Sequence, residues 1–170
     1  MNVKIREAVP GDVEAIISVG RHTWPVTYAF AGPEYIEHGM REWWSAGAIE
    51  RSLKNTKVLV AEEEDTIVAT GNIDLRHDVP IIWKLYVVPL AQGTGVGSAL
   101  IQELLAAADG RPVQLEYIDG NDKAAAFYAR HGFVEVWREP NGEPGWPAQV
   151  WVERKRQENR EASDSRSCEL

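Results

Sequence analysis

Apolar residues recur along this chain with two periods, and the switches between them mark its elements. "NVKIREA" alternates apolar and polar side chains, the period of a half-buried strand. "PGDVEAIISVGRHTW" places apolar residues at helical spacing behind Asp12, a residue type that caps helix starts. "PVTYAFAG" reads as a loop or broken helix. "PEYIEHGMREWWSAGAIERSLKN" reads as a second helix, or two short ones, opening on Pro33. "TKVLVAEEEDTIVATGNIDLR" is two strands about an acidic turn, and "PIIWKLYVV" is a further strand. A glycine cluster then leads into a helix from about Gly95 to Asp109. "RPVQLEYID" predicts a strand, "NDKAAAFYARHG" a helix capped by Asn121, "FVEVWRE" a strand, "NGEPGWP" a loop and "AQVWVER" a last strand. The order βααβββαβαββ makes one mixed α/β domain over residues 1–155, without internal repeats. From about Arg154 the periodicity is lost, and residues 156–170 read as a disordered tail.

Composition narrows the function classes. The 170 residues suit one domain with a substantial core, and 44% hydrophobic with 26% charged residues is ordinary for a globular protein. A net charge of −8 argues against a nucleic-acid surface, which needs a basic stripe, and leaves room for a cationic partner. The single cysteine, Cys168, allows no disulfide within one chain, which points to a reducing compartment. "MNVKIREAVPGD" lacks the apolar core of a signal peptide, and no apolar run reaches membrane length. The expectation is a cytoplasmic protein that meets neither membrane nor nucleic acid.

The stretch "LYVVPLAQGTGVGSALIQELL" carries the most chemistry. A P-loop would need a lysine after its last glycine, and none arrives. A dinucleotide fingerprint would spread its glycines differently and stand near the start of a βαβ unit. What remains is Gln-x-x-Gly-x-Gly, formed by Gln92, Gly95 and Gly97, between a strand and a helix. The first turn of a helix leaves N–H groups unpaired at the positive end of the helix dipole, and glycines let an anion approach them. Such a turn can hold a pyrophosphate, or it can be an ordinary β–α connection.

One strand later, "NDKAAAFYARHGF" joins the glycine turn in a pattern that resembles the GCN5-related N-acetyltransferase (GNAT) superfamily. The superfamily's acetyl-coenzyme A motif is matched by Val87, Pro89, Gln92, Gly95 and Gly97. Its second motif is matched from Asn121 through Phe133, a stretch that holds Ala125, Phe127, Tyr128 and Gly132, and "IREAVPGDVEAI" is similar to its first strand and helix. The resemblance spans residues 3–153. It implies a mixed sheet of about seven strands flanked by about four helices, with acetyl-coenzyme A as cofactor. It implies cofactor contacts at Leu85, Tyr86, Val87 and Val88 on the strand, at Gln92, Gly93, Thr94, Gly95, Val96, Gly97 and Ser98 in the turn, and at Asn121, Phe127 and Tyr128. Many relatives carry Arg or Lys where this chain has Gly93 and Thr94, so phosphate binding here would rest on main-chain amides.

Acetyl transfer to an amine needs a base, a polariser for the thioester carbonyl and an acid for the leaving thiolate. The resemblance puts Tyr128 at the general-acid position and Glu116 at a general-base position, with Asp74 and Glu34 as alternatives. Main-chain N–H groups of Leu85, Tyr86 and Val87 would polarise the carbonyl. The first two helices would line the acceptor side, where Trp24, Tyr28, Glu34 and Asp74 are the candidates, while Trp43 and Trp44 would pack on the sheet. Aromatic faces with carboxylates suit an organic cation. The acceptor expected first is a small-molecule amine, such as a polyamine, an aminated metabolite or an antibiotic. A protein N-terminus or lysine comes second, and a non-catalytic coenzyme A-binding module third. No metal is expected. Trp137, Trp146 and Trp151 would cover the cleft or a subunit contact, so a homodimer is open.

Overall fold

The computed structural model describes residues 2–156; the segment beyond them, with Cys168 and the expected tail, lies outside the described residues. Strand β1 (Val3–Glu7) precedes three helices, α1 (Val13–Thr27), α2 (Pro33–Trp43) and α3 (Ala46–Asn55). Strands β2 (Lys57–Glu63), β3 (Thr66–Asp74) and β4 (Ile81–Val87) follow. Then come α4 (Val96–Ala107), β5 (Val113–Ile118), α5 (Asp122–Arg130), β6 (Phe133–Glu139) and β7 (Gln149–Arg154). The strands form one seven-stranded sheet in the order β1-β2-β3-β4-β5-β7-β6, antiparallel except at β4–β5. Among the described residues no helix is long and apolar enough to cross a membrane.

The element order is the expected one, with one division and one extension. The second helical region splits after Trp44, and Ser45 caps α3 by accepting the Ala48 N–H at 3.1 Å. Among the described residues the sheet is therefore flanked by five α-helices rather than four. Helix α1 also runs through Pro25 to Thr27, where the sequence suggested a break. Proline lacks the N–H that would reach the Arg21 carbonyl. Both residues are on the exposed face in the last turns of α1, where water can take the freed acceptor. Asp12 does not cap α1 with its side chain. Its carboxylate accepts the Val9 N–H at 2.8 Å and pairs with Arg6 at 2.7 Å, which fastens the helix start to β1.

Two apolar layers sandwich the sheet. Leu100, Ile101 and Leu104 of α4 pack with Ile73, Ile82, Leu115 and Val150 on one face. Ile16 and Trp24 of α1 pack with Ile49, Val60 and Trp44 on the other. Trp44 is 1% exposed, whereas its neighbour Trp43 is 54% exposed, so only one of the pair packs as expected.

Two irregularities open the middle of the sheet. Asn72 faces Lys84 across β3–β4, but Ile73 faces Ile82, so Trp83 is an extra residue on β4. A bulge of this kind shifts the alternation of the strand. It sends Leu85 and Val87 to the α4 face and Tyr86 to the opposite face. At the same place β4 leaves β5. The two strands pair only at Ile81↔Gln114 and Ile82↔Leu115, and from Trp83 onward they diverge.

Candidate active site

The divergence of β4 and β5 opens two cavities with a common wall. One, of about 870 Å³, reaches the glycine turn and α5. The other, of about 600 Å³, lies under α2, α3 and the β6–β7 connection. Tyr28, Trp83, Lys84, Tyr86, Glu116 and Tyr117 line both.

The larger cavity fits an extended thioester cofactor with a pyrophosphate. Gly93 and Gly95 have φ of +77° and +90°, a region costly for any residue with a Cβ. The start of α4 has no side-chain cap, so its first N–H groups stay open. Gly97 lies against Phe127, where a Cβ would stand 3.4 Å from the ring. The Gln92 side chain donates to the Val87 carbonyl at 3.0 Å and ties the turn to the strand. Val88 N–H donates to Val68 C=O at 2.9 Å, toward β3. N–H directions alternate along a strand. Those of Leu85 and Val87 therefore point into the gap that β5 has left, and that of Tyr86 does not.

Tyr128 and Glu116 stand on this gap from opposite elements. Tyr128 is 9% exposed on α5, wedged between Tyr117 (ring centroids 6.2 Å), Phe127 (5.3 Å) and Phe133 (5.8 Å). Burial, and secondarily Tyr28, raises its hydroxyl above the usual tyrosine range, so it stays protonated. Glu116 shares a face of β5–β7 with its register partner Trp151. Its Oε2 is buried with no hydrogen-bond partner among the described residues. Burial first, and then the charge of Glu139, pushes its carboxyl up to about 7. An unpartnered carboxylate of this kind takes up and releases protons near neutrality.

Aromatic rings make the smaller cavity. Trp24 stacks on Tyr35 with centroids 5.8 Å apart and planes at 11°. Tyr28 and Tyr86 share a hydrogen bond between hydroxyls at 2.9 Å. Trp146, from the β6–β7 connection, packs on Tyr35 (5.3 Å) and His38 (5.0 Å) of α2 and roofs that end. Trp151 stands beneath Trp137 (5.1 Å, 18°) and donates to Glu139 at 2.8 Å.

The structure thus brings most of the sequence-derived candidates together and sets others apart. Leu85, Tyr86, Val87, Gln92, Gly93, Gly95, Gly97, Ser98, Asn121, Phe127, Tyr128 and Glu116 line the larger cavity, and Trp24 and Tyr28 line the smaller. Val88, Thr94 and Val96 do not. Val88 turns its N–H to β3, Thr94 donates to the Ala91 carbonyl, and Val96 is 3% exposed in the core. Asn121 caps α5 by accepting the Ala124 N–H at 3.2 Å, and the Ser98 hydroxyl meets His131 Nε2 at 3.1 Å. Glu34 lies exposed at the start of α2 and lines neither cavity. Asp74 lines the smaller cavity, but its oxygens are engaged by Arg76 (2.8 and 2.9 Å), His77 (3.1 Å) and Trp83 (3.3 Å). Hydrogen bonds from Arg76 hold it well below the usual carboxylate range, which makes it a poor base. Two wall residues carried no readable signal. Lys84 looks like any polar strand position, and Glu139 reaches Glu116 only through the sheet order.

Comparison with known proteins gives one concordant answer. Residues 54–135 match the family model for the acetyltransferase (GNAT) domain. A spermidine N(1)-acetyltransferase of Thermoplasma acidophilum is 27% identical over 143 residues, covering 78% of this chain and 89% of that protein. The crystal structure of the PaiA N-acetyltransferase of Thermoplasma acidophilum in complex with coenzyme A superposes with a TM-score of 0.79 at 22% identity, over 91% of this chain and 99% of that one. A GCN5-related N-acetyltransferase of Rhodopseudomonas palustris gives a TM-score of 0.78 at 21% identity, over 91% and 96% of the two chains.

Proposed function

The chain belongs to the GNAT superfamily, with acetyl-coenzyme A as cosubstrate, and from that premise we propose that it acetylates a primary amine of a small molecule by direct transfer, with Glu116 as base and Tyr128 as acid. The carrying observation is Glu116. It is a half-buried carboxylate on the wall common to both cavities, its Oε2 buried without a hydrogen-bond partner among the described residues, with a proton affinity near neutrality.

Acetyl-coenzyme A supplies the acetyl group as a thioester; the chain supplies the rest. The open amides at the start of α4 and the glycines before it suit the pyrophosphate. The free N–H groups of Leu85 and Val87 suit a carbonyl oxygen that gains charge. Glu116 removes a proton from the ammonium form of the acceptor. Tyr128 holds the proton that a departing thiolate needs, and burial raises thiol and phenol alike. The chain's single cysteine is Cys168, outside the described residues, so the described site offers no thiol to carry the acetyl group.

Two observations favour a small acceptor over a polypeptide. The acceptor-side cavity has about 600 Å³, the size of a metabolite site. Trp146 closes one end of it by packing on Tyr35 and His38, which leaves less room for a polypeptide. The relative named as a spermidine acetyltransferase acts on a small amine and adds support. The purified chain, given acetyl-coenzyme A and a panel of small amines, should release free thiol with at least one of them. Tight coenzyme A binding without thiol release from any amine would instead leave a cofactor-binding module.

A further inference from the structure

The two sides of the acceptor cavity carry opposite, uncompensated charge. On the side built by β5, β7 and β6 stand Glu116 and Glu139. On the side built by β3, β4 and α3 stand Lys84 and Arg51, and neither forms an ion pair among the described residues. The other charged wall residues are accounted for. Asp74 and Arg76 neutralise each other at 2.8 Å, and Glu42 leans toward Arg41 at 3.6 Å.

Lys84 is the more enclosed of the two cations. Its Nζ lies 5.4 Å from the centroid of Trp44 and has no carboxylate beside it. A desolvated ammonium without a counter-ion is costly, and burial accordingly lowers its pKa to about 8. Its register partner across β3–β4 is Asn72, which is 3% exposed and whose Oδ1 has no donor among the described residues. Side by side on one cavity wall are therefore an ammonium that lacks an anion and an amide oxygen that lacks a donor. An ammonium has three N–H donors on a flexible stem, enough to serve Asn72 and a bound anion together.

We propose that the acceptor is an amino acid, whose carboxylate binds Lys84 while its amine is presented to Glu116. This deepens the acetyl-transfer reading and rests on it. A polyamine would set a second cation against Lys84 in a poorly solvated cavity, where like charges repel most strongly. An amino acid matches both sides at once. The aromatic wall of Trp24, Trp44 and Trp146 leaves the part between its charges to apolar contact.

The test compares amino acids with the amines left when their carboxylate is removed. Initial rates are measured for phenylalanine beside phenethylamine, γ-aminobutyrate beside propylamine, lysine beside cadaverine, and for spermidine. In at least one pair the acid should exceed its amine in kcat/KM by about ten- to a hundred-fold, the worth of one charge-assisted hydrogen bond. In Lys84→Met, which keeps length and removes charge, that ratio should fall by a similar factor, through the KM of the acid. Lys84→Arg should restore part of it. If spermidine or the decarboxylated amines are acetylated better than every acid, the proposal is wrong and acetyl transfer to small amines stands. An acid preference that survives in Lys84→Met also overturns it. Should no amine of either kind release thiol, the acetyl-transfer reading falls, and this inference with it.

Discussion

The indole of Trp24 lies so close to Gly39 that a Cβ at position 39 would stand 1.9 Å from the ring. The relationship is reciprocal. Trp44, just after α2, lies on Gly20 of α1, where a Cβ would stand 2.3 Å from its ring. Each helix offers a glycine to the other's tryptophan, so α1 and α2 interlock. Trp24 is thereby fixed as a wall of the smaller cavity, the proposed acceptor site.

Gly39→Ala should displace Trp24. Overpacking of this kind costs about 1–3 kcal/mol, which urea unfolding will read. The KM for the acceptor should rise while that for acetyl-coenzyme A changes little, because the glycine turn lies on the far face of the sheet. Wild-type stability in Gly39→Ala would mean that the helices shift freely.

Glu116 predicts a pH signature in both rate and stability. As the proposed base it would work when deprotonated, so kcat/KM should fall as pH drops below about 7, and Glu116→Gln should lose most of its rate and this acid limb. The stability effect has the opposite sense. Between its ordinary value of 4.5 and about 7, the folded chain holds a proton that the unfolded chain has released. Stability therefore declines as pH rises through that window. Above pH 7 Glu116→Gln should melt higher than the parent, and the gain should vanish as pH falls toward 4.5. A variant that melts lower at pH 8 would show that Glu116 has a partner in solution.

Tyr128→Phe keeps the ring among Tyr117, Phe127 and Phe133 and removes the hydroxyl. Turnover should drop roughly ten- to a thousand-fold, within or just below the range for loss of a general acid, with coenzyme A affinity nearly unchanged. An unaltered kcat would move the proton source elsewhere.

Gly95→Val tests the turn. Gly95 has φ of +90° and no atom within 4 Å of where its Cβ would lie, so the penalty is conformational and falls on the start of α4. Calorimetry should show coenzyme A binding lost or strongly weakened in a folded variant. Full affinity would remove the turn from the phosphate site.

Features made by local chemistry were legible in the sequence, and those made by register were not. Glycines at 93 and 95 announce a turn whatever surrounds them, and Asn121 caps its helix as its position suggests. Pro25 misled because a proline near an exposed helix end loses little, and nothing local says the end is exposed. The bulge at Trp83 lies in "IIWKLYVV", apolar on both faces, where a shift of alternation leaves no trace. Without that shift Lys84 cannot be assigned to the acceptor side. The resemblance sets Glu116 ahead of Glu34 as the base, but nothing local to either carboxylate separates them. Only the fold sets Glu116 half-buried on the wall of both cavities and leaves Glu34 exposed at the start of α2.

The strand that bears Glu116 acquires most of its partners late in the life of the chain. β5 meets β4 at two positions and β7 at all six of its own, and β7 ends at Arg154. On the ribosome, β1 to β4 and α4 can pair and pack while β5 still has an open edge. Both cavities can thus have their early walls, from α1 to α4, in place before the wall that carries Glu116 is fixed. A nascent chain halted before Gln149 would expose the unpaired edge of β5, the kind of edge that chaperones shield and other chains capture.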